Sequence, residues 1–285
     1  MSMFKDFLVP ASFDEARAEL QRLGPEGVPV AGATSLLFMK HREPKVAVDL
    51  SRAGLAGIRA DGDGFVIGAM STITALREHR ADGWVLDRVA GHFVTQQIRN
   101  QSTLGGNIVR VFAWADFPVA LLALNATMVI RNDEEKRVGA DEFFAGQPVR
   151  LLKAGDLLVS VVVPALKPGQ GFGYHKQTRV SADFSQGTAA ALLEVAGGKI
   201  TAARVALGAS VTFPCRLAGV EQALVGQKGS EKLFRAASAE LGTRTWRTVA
   251  GFAPDYIQHI GQTAVADALA QAWEEVLAAP QGSQR

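Results

Sequence analysis

Two short glycine-rich loops, Ala31-Gly32-Ala33-Thr34-Ser35-Leu36 and Ser102-Thr103-Leu104-Gly105-Gly106-Asn107, constrain this chain more than any other feature. The first follows an apolar run, Val28-Pro29-Val30, and the second leads into another, Ile108-Val109. Each brings small residues and hydroxyls together where the chain leaves regular structure. Glycine lets backbone pass close to a ligand and adopt positive φ without a Cβ clash. Successive N–H groups in such a bend form a concave anion site, to which Thr and Ser hydroxyls add donors. Either loop alone also reads as a plain turn. Two in one domain, with no metal-ligand cluster elsewhere, point to a clamp on a doubly charged linker such as a pyrophosphate.

The remaining composition narrows what such a clamp serves. A chain of 285 residues buries a real core and is expected to split into two domains. Its formal charge of +2 makes no electrostatic case for nucleic acid or an anionic membrane. The start, Met1-Ser2-Met3-Phe4-Lys5-Asp6, lacks the apolar core of a signal peptide. No apolar run reaches the roughly 18 residues that span a bilayer, so the expectation is a soluble, cytoplasmic protein. Cys215 is the only cysteine, which excludes an internal disulfide, a Cys-rich zinc site and an iron–sulfur cluster ligated by this chain alone. His41, His79, His92, His175 and His259 show no metal-ligand spacing. Any redox chemistry therefore needs an organic cofactor or a partner.

Along the chain, Ser12-Phe13-Asp14-Glu15 is a capping box for a helix carrying Ala16, Leu20 and Leu23, ended by Gly24. Short strands are expected at 28–31, 46–50 and 65–67, then a helix capped by Thr72. Residues 84–96 read as one helix before the second loop. Asp116 with Pro118 opens an apolar helix through Leu124, followed by strands at 127–131 and 157–163. Residues 164–171 are the linker candidate. Beyond it, 188–195 and 200–207 flank Ala196-Gly197-Gly198-Lys199 as a hairpin. Helices are expected at 214–225 and 232–241, with a long amphipathic one at 254–279. Short mixed strands with helices collected at the end make the class α+β.

Gly62-Asp63-Gly64-Phe65-Val66-Ile67-Gly68 imitates a dinucleotide fingerprint, but its glycines precede a strand, so it reads as a turn. Gly169-Gln170-Gly171-Phe172-Gly173 has no helix after it and reads as linker. Asp116 is either a helix cap or an acceptor for a ribose. On a strand, Tyr174 and Lys176 share a face. With Arg179 and Asp183 they read, on spacing alone, as a solvated edge strand and a surface Arg–Asp pair.

The segment Gln97-Ile98-Arg99-Asn100-Gln101-Ser102-Thr103-Leu104-Gly105-Gly106-Asn107-Ile108, with Asp116-Phe117-Pro118 beyond it, resembles the FAD-binding medium subunit of the molybdenum hydroxylases, the xanthine dehydrogenase and aerobic carbon monoxide dehydrogenase type. The first loop, Tyr174-His175-Lys176-Gln177-Thr178-Arg179 with Asp183, and Arg204-Val205-Ala206-Leu207-Gly208-Ala209 extend the match over nearly the whole chain. The resemblance implies an FAD-binding domain of the vanillyl-alcohol-oxidase (PCMH) type over 1–168, with lobes of roughly 1–55 and 56–168. A smaller C-terminal antiparallel-sheet-plus-helices domain over 169–285 would follow.

By the same resemblance, the FAD pyrophosphate is held by Ala31, Gly32, Ala33, Thr34, Ser35 and Leu36 and by Thr103, Gly105, Gly106 and Asn107, with Val30 among the further cofactor-binding residues. Asp116 meets the adenosine portion, Phe93 and Val94 make contacts before the second loop, and Leu158 makes an apolar one. Lys176 lies near the flavin and Tyr174 approaches its ring. Ala33 stands where the family usually has glycine, a strained choice if its φ is positive. Thr243 to Phe252 also departs from the family's Arg-x-Ser…Tyr-Arg form.

The implied function is electron transfer within a multi-subunit oxidoreductase. A molybdopterin-binding large subunit and an iron–sulfur small subunit would be the partners, as a dimer of heterotrimers. Electrons would leave to NAD⁺, O₂ or a quinone. The rival readings are a self-sufficient flavin oxidoreductase of the same fold and a non-catalytic binding module.

Overall fold

The N-terminal lobe is built on a crossover. In the computed structural model, which describes residues 3–35, 45–180, 182–242, 244–249 and 251–278, strand β1 (Phe4–Leu8) leads into helix α1 (Phe13–Leu23), then β2 (Gly27–Val30) and β3 (Lys45–Asp49). Ser12 caps α1 by accepting from the Glu15 N–H, and Gly24 closes it at φ +53°. β3 lies between β1 and β2 and pairs with both in parallel. α1 carries the chain from β1 past the position of β3 to the far strand β2, burying Phe13, Ala16 and Leu20 against Val48 and Leu50. The α+β class holds for the whole chain, with this one parallel sheet inside it.

The second lobe carries β4 (Ile58–Asp61), β5 (Gly64–Gly68), α2 (Ile73–Glu78), α3 (Leu86–Gly91), α4 (Gln96–Gln101), α5 (Leu104–Val109), α6 (Phe117–Ala123), β6 (Thr127–Arg131), β7 (Glu135–Gly139), α7 (Ala140–Phe143) and β8 (Leu157–Pro164). Its strands form an antiparallel sheet in the order β4-β5-β8-β6-β7. The imitation fingerprint is the β4–β5 turn, with Gly62 at φ +56°. The single helix expected over 84–96 is two. α3 stops at Gly91, and Thr95 restarts α4 by accepting from the Ile98 N–H. The Arg99 guanidinium holds the intervening turn by donating to the carbonyls of Phe93 and Val94.

The C-terminal part contains β9 (Gln170–Gln177), β10 (Gly187–Ala196), β11 (Lys199–Gly208), β12 (Cys215–Arg216), α8 (Ala218–Leu224), α9 (Glu231–Ala239) and α10 (Pro254–Ala278). The hairpin is present as β10–β11, in a sheet ordered β12-β11-β10-β9. The helix expected from Pro214 begins instead as β12, paired to β11 through Leu207 and Cys215. Residues 170–173 are not linker either: they open β9. A Cβ on Gly171 would lie 2.0 Å from the Ala272 carbonyl oxygen, and one on Gly173 1.9 Å from that of Ala268. These glycines let α10 lie directly on the strand. Successive buried positions in α10, among them Ala264, Val265 and Ala266, show it wedged into the domain core instead of presenting one apolar face.

Alternation along β9 fixes what the other face does. Gly171 and Gly173 meet α10, so Phe172, Tyr174 and Lys176 point the opposite way. Phe172 and Tyr174 join one continuous core with Phe117, Leu121, Ile67 and Leu104 of the second lobe. Three elements of different lobes thus converge at the end of β2, the α4–α5 corner and the end of β9.

Candidate functional site

Where β2 ends, the chain turns away at Ala31 and Gly32 and packs onto the α4–α5 corner. A Cβ on Gly32 would sit 1.8 Å from the Gln101 carbonyl oxygen, so only glycine fits there. The Thr34 and Ser102 hydroxyls, 2.9 Å apart, hydrogen-bond across the junction. A Cβ placed on Gly106 would be 3.7 Å from the Ala31 Cβ. The two glycine loops are therefore in contact, and they form one wall of a groove enclosing about 290 Å³.

The hydrogen-bond accounting separates the loops. In the second, every N–H from Leu104 to Asn107 is already used, Leu104 on the Ser71 carbonyl, Gly105 on Ala69, Gly106 on the Thr103 hydroxyl and Asn107 on the Thr103 carbonyl. Thr103 is the N-cap of α5, so this loop is the first turn of a helix and not an open anion nest. In the first loop, the N–H groups of Gly32, Ala33, Thr34 and Ser35 meet no acceptor among the described residues. Ala33 adopts φ +58°, the left-handed conformation that turns successive N–H groups to one side. The second loop contributes an acceptor instead: the Asn107 Oδ1 is buried without a partner.

Of the residues singled out from the sequence, Val30, Ala31, Gly32, Ala33, Thr34, Ser35, Phe93, Val94, Thr103, Gly105, Gly106, Asn107, Asp116, Leu158 and Lys176 line this groove. Leu36 lies outside the described residues. Tyr174 departs from the expectation. It does not reach the groove but lies beneath Asp116, 3% exposed, with its ring edge-on to His92.

Asp116 precedes α6 but makes no capping bond. Its carboxylate accepts from the Tyr174 hydroxyl at 2.6 Å and pairs with the Lys176 ammonium at 2.9 Å, both ions almost fully buried. Lys176 also donates to the His92 carbonyl at 3.3 Å. Burial, and then the Asp116 charge, push the Tyr174 hydroxyl well above its usual pKa of 10.0. The solvated edge strand expected on spacing alone is thus replaced by a buried, charge-balanced triad joining two domains. Only the Arg179–Asp183 pair is the exposed ion pair foreseen. Because Asp116 and Lys176 form one pair, they mark one point on the groove.

Sequence reasoning missed the opposite rim. Phe112 stacks on Trp114 with centroids 5.1 Å apart, and Trp114 packs on Phe184, which arrives from the segment after β9. All three line the groove, as do Ile98 and Arg110. Isolated aromatics and a single arginine in an irregular stretch carry no spacing signal. Cys215 is not among the lining residues; burial raises its thiol pKa, and Arg244 contacts it.

The arrangement offers open N–H donors, one orphan acceptor, a neutralised ion pair and apolar walls, which suits a long ligand with an anionic middle and flat ends. Comparison with known proteins gives that ligand a family. Residues 2–166 match the model of the FAD binding domain in molybdopterin dehydrogenase, and residues 172–272 that of the CO dehydrogenase flavoprotein C-terminal domain. The chain is 31% identical over 241 residues to the carbon monoxide dehydrogenase medium chain of Hydrogenophaga pseudoflava, covering 82% of this chain and 84% of that one. It is also 31% identical over 244 residues to the nicotine 6-hydroxylase medium subunit of Paenarthrobacter nicotinovorans, covering 83% and 85%. The solved carbon monoxide dehydrogenase from Hydrogenophaga pseudoflava superposes with a TM-score of 0.89 at 30% identity, over 95% of this chain and 98% of its counterpart.

Proposed function

Because this chain belongs to the family of the FAD-binding domain in molybdopterin dehydrogenase, we propose that it is the relay that takes electrons from a partner's iron–sulfur clusters and passes them to NAD⁺, O₂ or a quinone. The protein is an FAD-binding medium subunit of a molybdenum hydroxylase, an oxidoreductase. No helix among the described residues is long and apolar enough to cross a membrane. The partners in our reading are an iron–sulfur small subunit and a molybdopterin-binding large subunit, as a dimer of heterotrimers in the cytoplasm. Medium chains 31% identical to this one are named for carbon monoxide and for nicotine, and in our reading the substrate is chosen by another subunit of the complex.

The observation that carries the reading is the meeting of the two glycine loops on one groove, with unused N–H groups on one loop and an orphan buried Asn107 acceptor on the other. These residues fit FAD. Gly32 to Ser35 would donate to the pyrophosphate, and Asn107 would accept from the cofactor. Phe93, Val94 and Leu158 would wall its apolar parts, and the Asp116–Lys176 pair would close one end. The flavin, when bound, supplies the ability to take and release one or two electrons. The chain's part is to hold it, exclude water and leave no net charge at the triad.

The test is anaerobic. The isolated flavoprotein is mixed with aldehydes, purines and N-heteroaromatics while flavin absorbance is followed. Bleaching only after the partner subunits are added is the expected result. Bleaching by substrate alone overturns the relay and makes the chain a self-sufficient oxidoreductase.

A further inference from the structure

Among the described residues, one cation of the groove has neither a hydrogen-bond nor an ion-pair partner. Five charged residues among those described line the groove: Arg110, Asp116, Asp156, Lys176 and Asp183. Asp116 and Lys176 neutralise each other. Asp183 is paired with Arg179. Asp156 accepts from the Asn132 side chain and the Lys153 N–H. Arg110, half-buried, makes no hydrogen bond or ion pair among the described residues, and burial alone pulls its pKa down. A desolvated cation left unpaired is costly, so its place in a ligand groove calls for an anion.

Its position says which part of a ligand it meets. Arg110 directly follows α5, four residues after Gly106. Its backbone, at φ −105° and ψ 87°, has already left the helix. Gly106 has no side chain, and a Cβ there would meet the Thr103 Oγ1 at 3.0 Å and the Ala31 Cβ at 3.7 Å. Arg110, Gly106 and the loop whose N–H groups at 32–35 meet no acceptor among the described residues line one and the same groove.

Resting on the reading that this groove holds FAD, we propose that Arg110 is the counter-cation of the FAD pyrophosphate, reaching over Gly106 to the anion cradled by Gly32 to Ser35. The second glycine loop then serves the phosphates by making room for an arginine, its own N–H groups being already used.

The test uses the full chain stripped of flavin, with FAD and ADP titrated by tryptophan fluorescence at several salt concentrations. ADP carries the pyrophosphate without the flavin. Arg110→Gln is expected to weaken both ligands by about 10–100-fold, the range for a lost charge-assisted hydrogen bond, and to flatten the salt dependence. Arg110→Lys, which keeps the charge, is expected to lose less affinity and to keep the wild-type salt slope. Wild-type affinity in Arg110→Gln, or equal losses in the Lys and Gln variants, overturns the assignment. A loss for FAD with ADP unchanged, accompanied by a lower flavin potential, also overturns it and moves Arg110 to the ring. Wild-type chain that binds neither ligand refutes the FAD reading of the groove, a result distinct from any of these.

Discussion

Ala33 and Gly32 stand side by side, yet exchanging their side chains has opposite consequences. Ala33 sits at φ +58°, where an L residue costs about 1–2 kcal/mol more than glycine. Introducing glycine returns about 0.4–1 kcal/mol of freedom to the unfolded chain. Ala33→Gly is thus expected to gain a net of about 1 kcal/mol. With an unfolding entropy of about 2.1 cal/mol/K per residue over 285 residues, that is a rise in Tm of about 1–2 °C. Gly32→Ala places a Cβ 1.8 Å from the Gln101 oxygen, well inside van der Waals contact. The loop must lift from the α4–α5 corner and strain the Thr34–Ser102 bond, at a cost of about 1–3 kcal/mol. The assay pairs calorimetry of the flavin-free variants with FAD titration. Ala33→Gly should bind FAD with equal or higher affinity, and Gly32→Ala should bind it more weakly. A lower Tm in Ala33→Gly, or an unaffected Gly32→Ala, would refute both the loop conformation and the steric argument.

Asp116→Asn leaves Lys176 charged and buried without its partner, and is expected to cost about 3–5 kcal/mol, measured by chemical denaturation; a loss under 1 kcal/mol would mean the pair is solvated. In a Tyr256→Phe background Tyr174 is the remaining tyrosine, and its raised pKa makes the folded state hold the proton longer than the unfolded state. Stability from this group is complete below pH 10 and is lost as pH rises beyond it, so phenolate absorbance should appear together with unfolding; a reversible titration near pH 10 in folded protein contradicts the triad. No cysteine or histidine lines the groove among the described residues, so acid precipitation should release all the yellow colour, and flavin left in the pellet would contradict non-covalent binding.

Local chemistry was legible in the sequence where a few neighbouring residues decide the outcome. The Ser12 and Thr72 caps, the Gly62 turn and the β10–β11 hairpin each rest on contacts within a few positions. The break between α3 and α4 was not legible, because it depends on Arg99 bonding back to carbonyls of the turn before its own helix. The glycines of β9 read as linker until α10, about a hundred residues later, is seen to need their missing side chains. The site divides the same way. Gly32 and Asn107 announce themselves by motif, whereas Phe112, Trp114 and Phe184 become a rim only after two domains meet. Asp116 was ambiguous between cap and ligand since the partners that claim its carboxylate lie 58 and 60 residues away.

The core that runs from Phe117 through Phe172 and Tyr174 crosses the gap between the two matched family models. Arg88 ties the same seam, donating to the Phe172 carbonyl and pairing with Glu275 of α10. Lys176, on that seam, also lines the groove. A ligand that engages Lys176 would therefore couple its own binding to domain docking, and linkage would make that influence mutual. A subunit pressed against the seam would then strengthen the hold on the cofactor by the same factor by which the cofactor strengthens the seam, and loss of the flavin would loosen the surface offered to a neighbour.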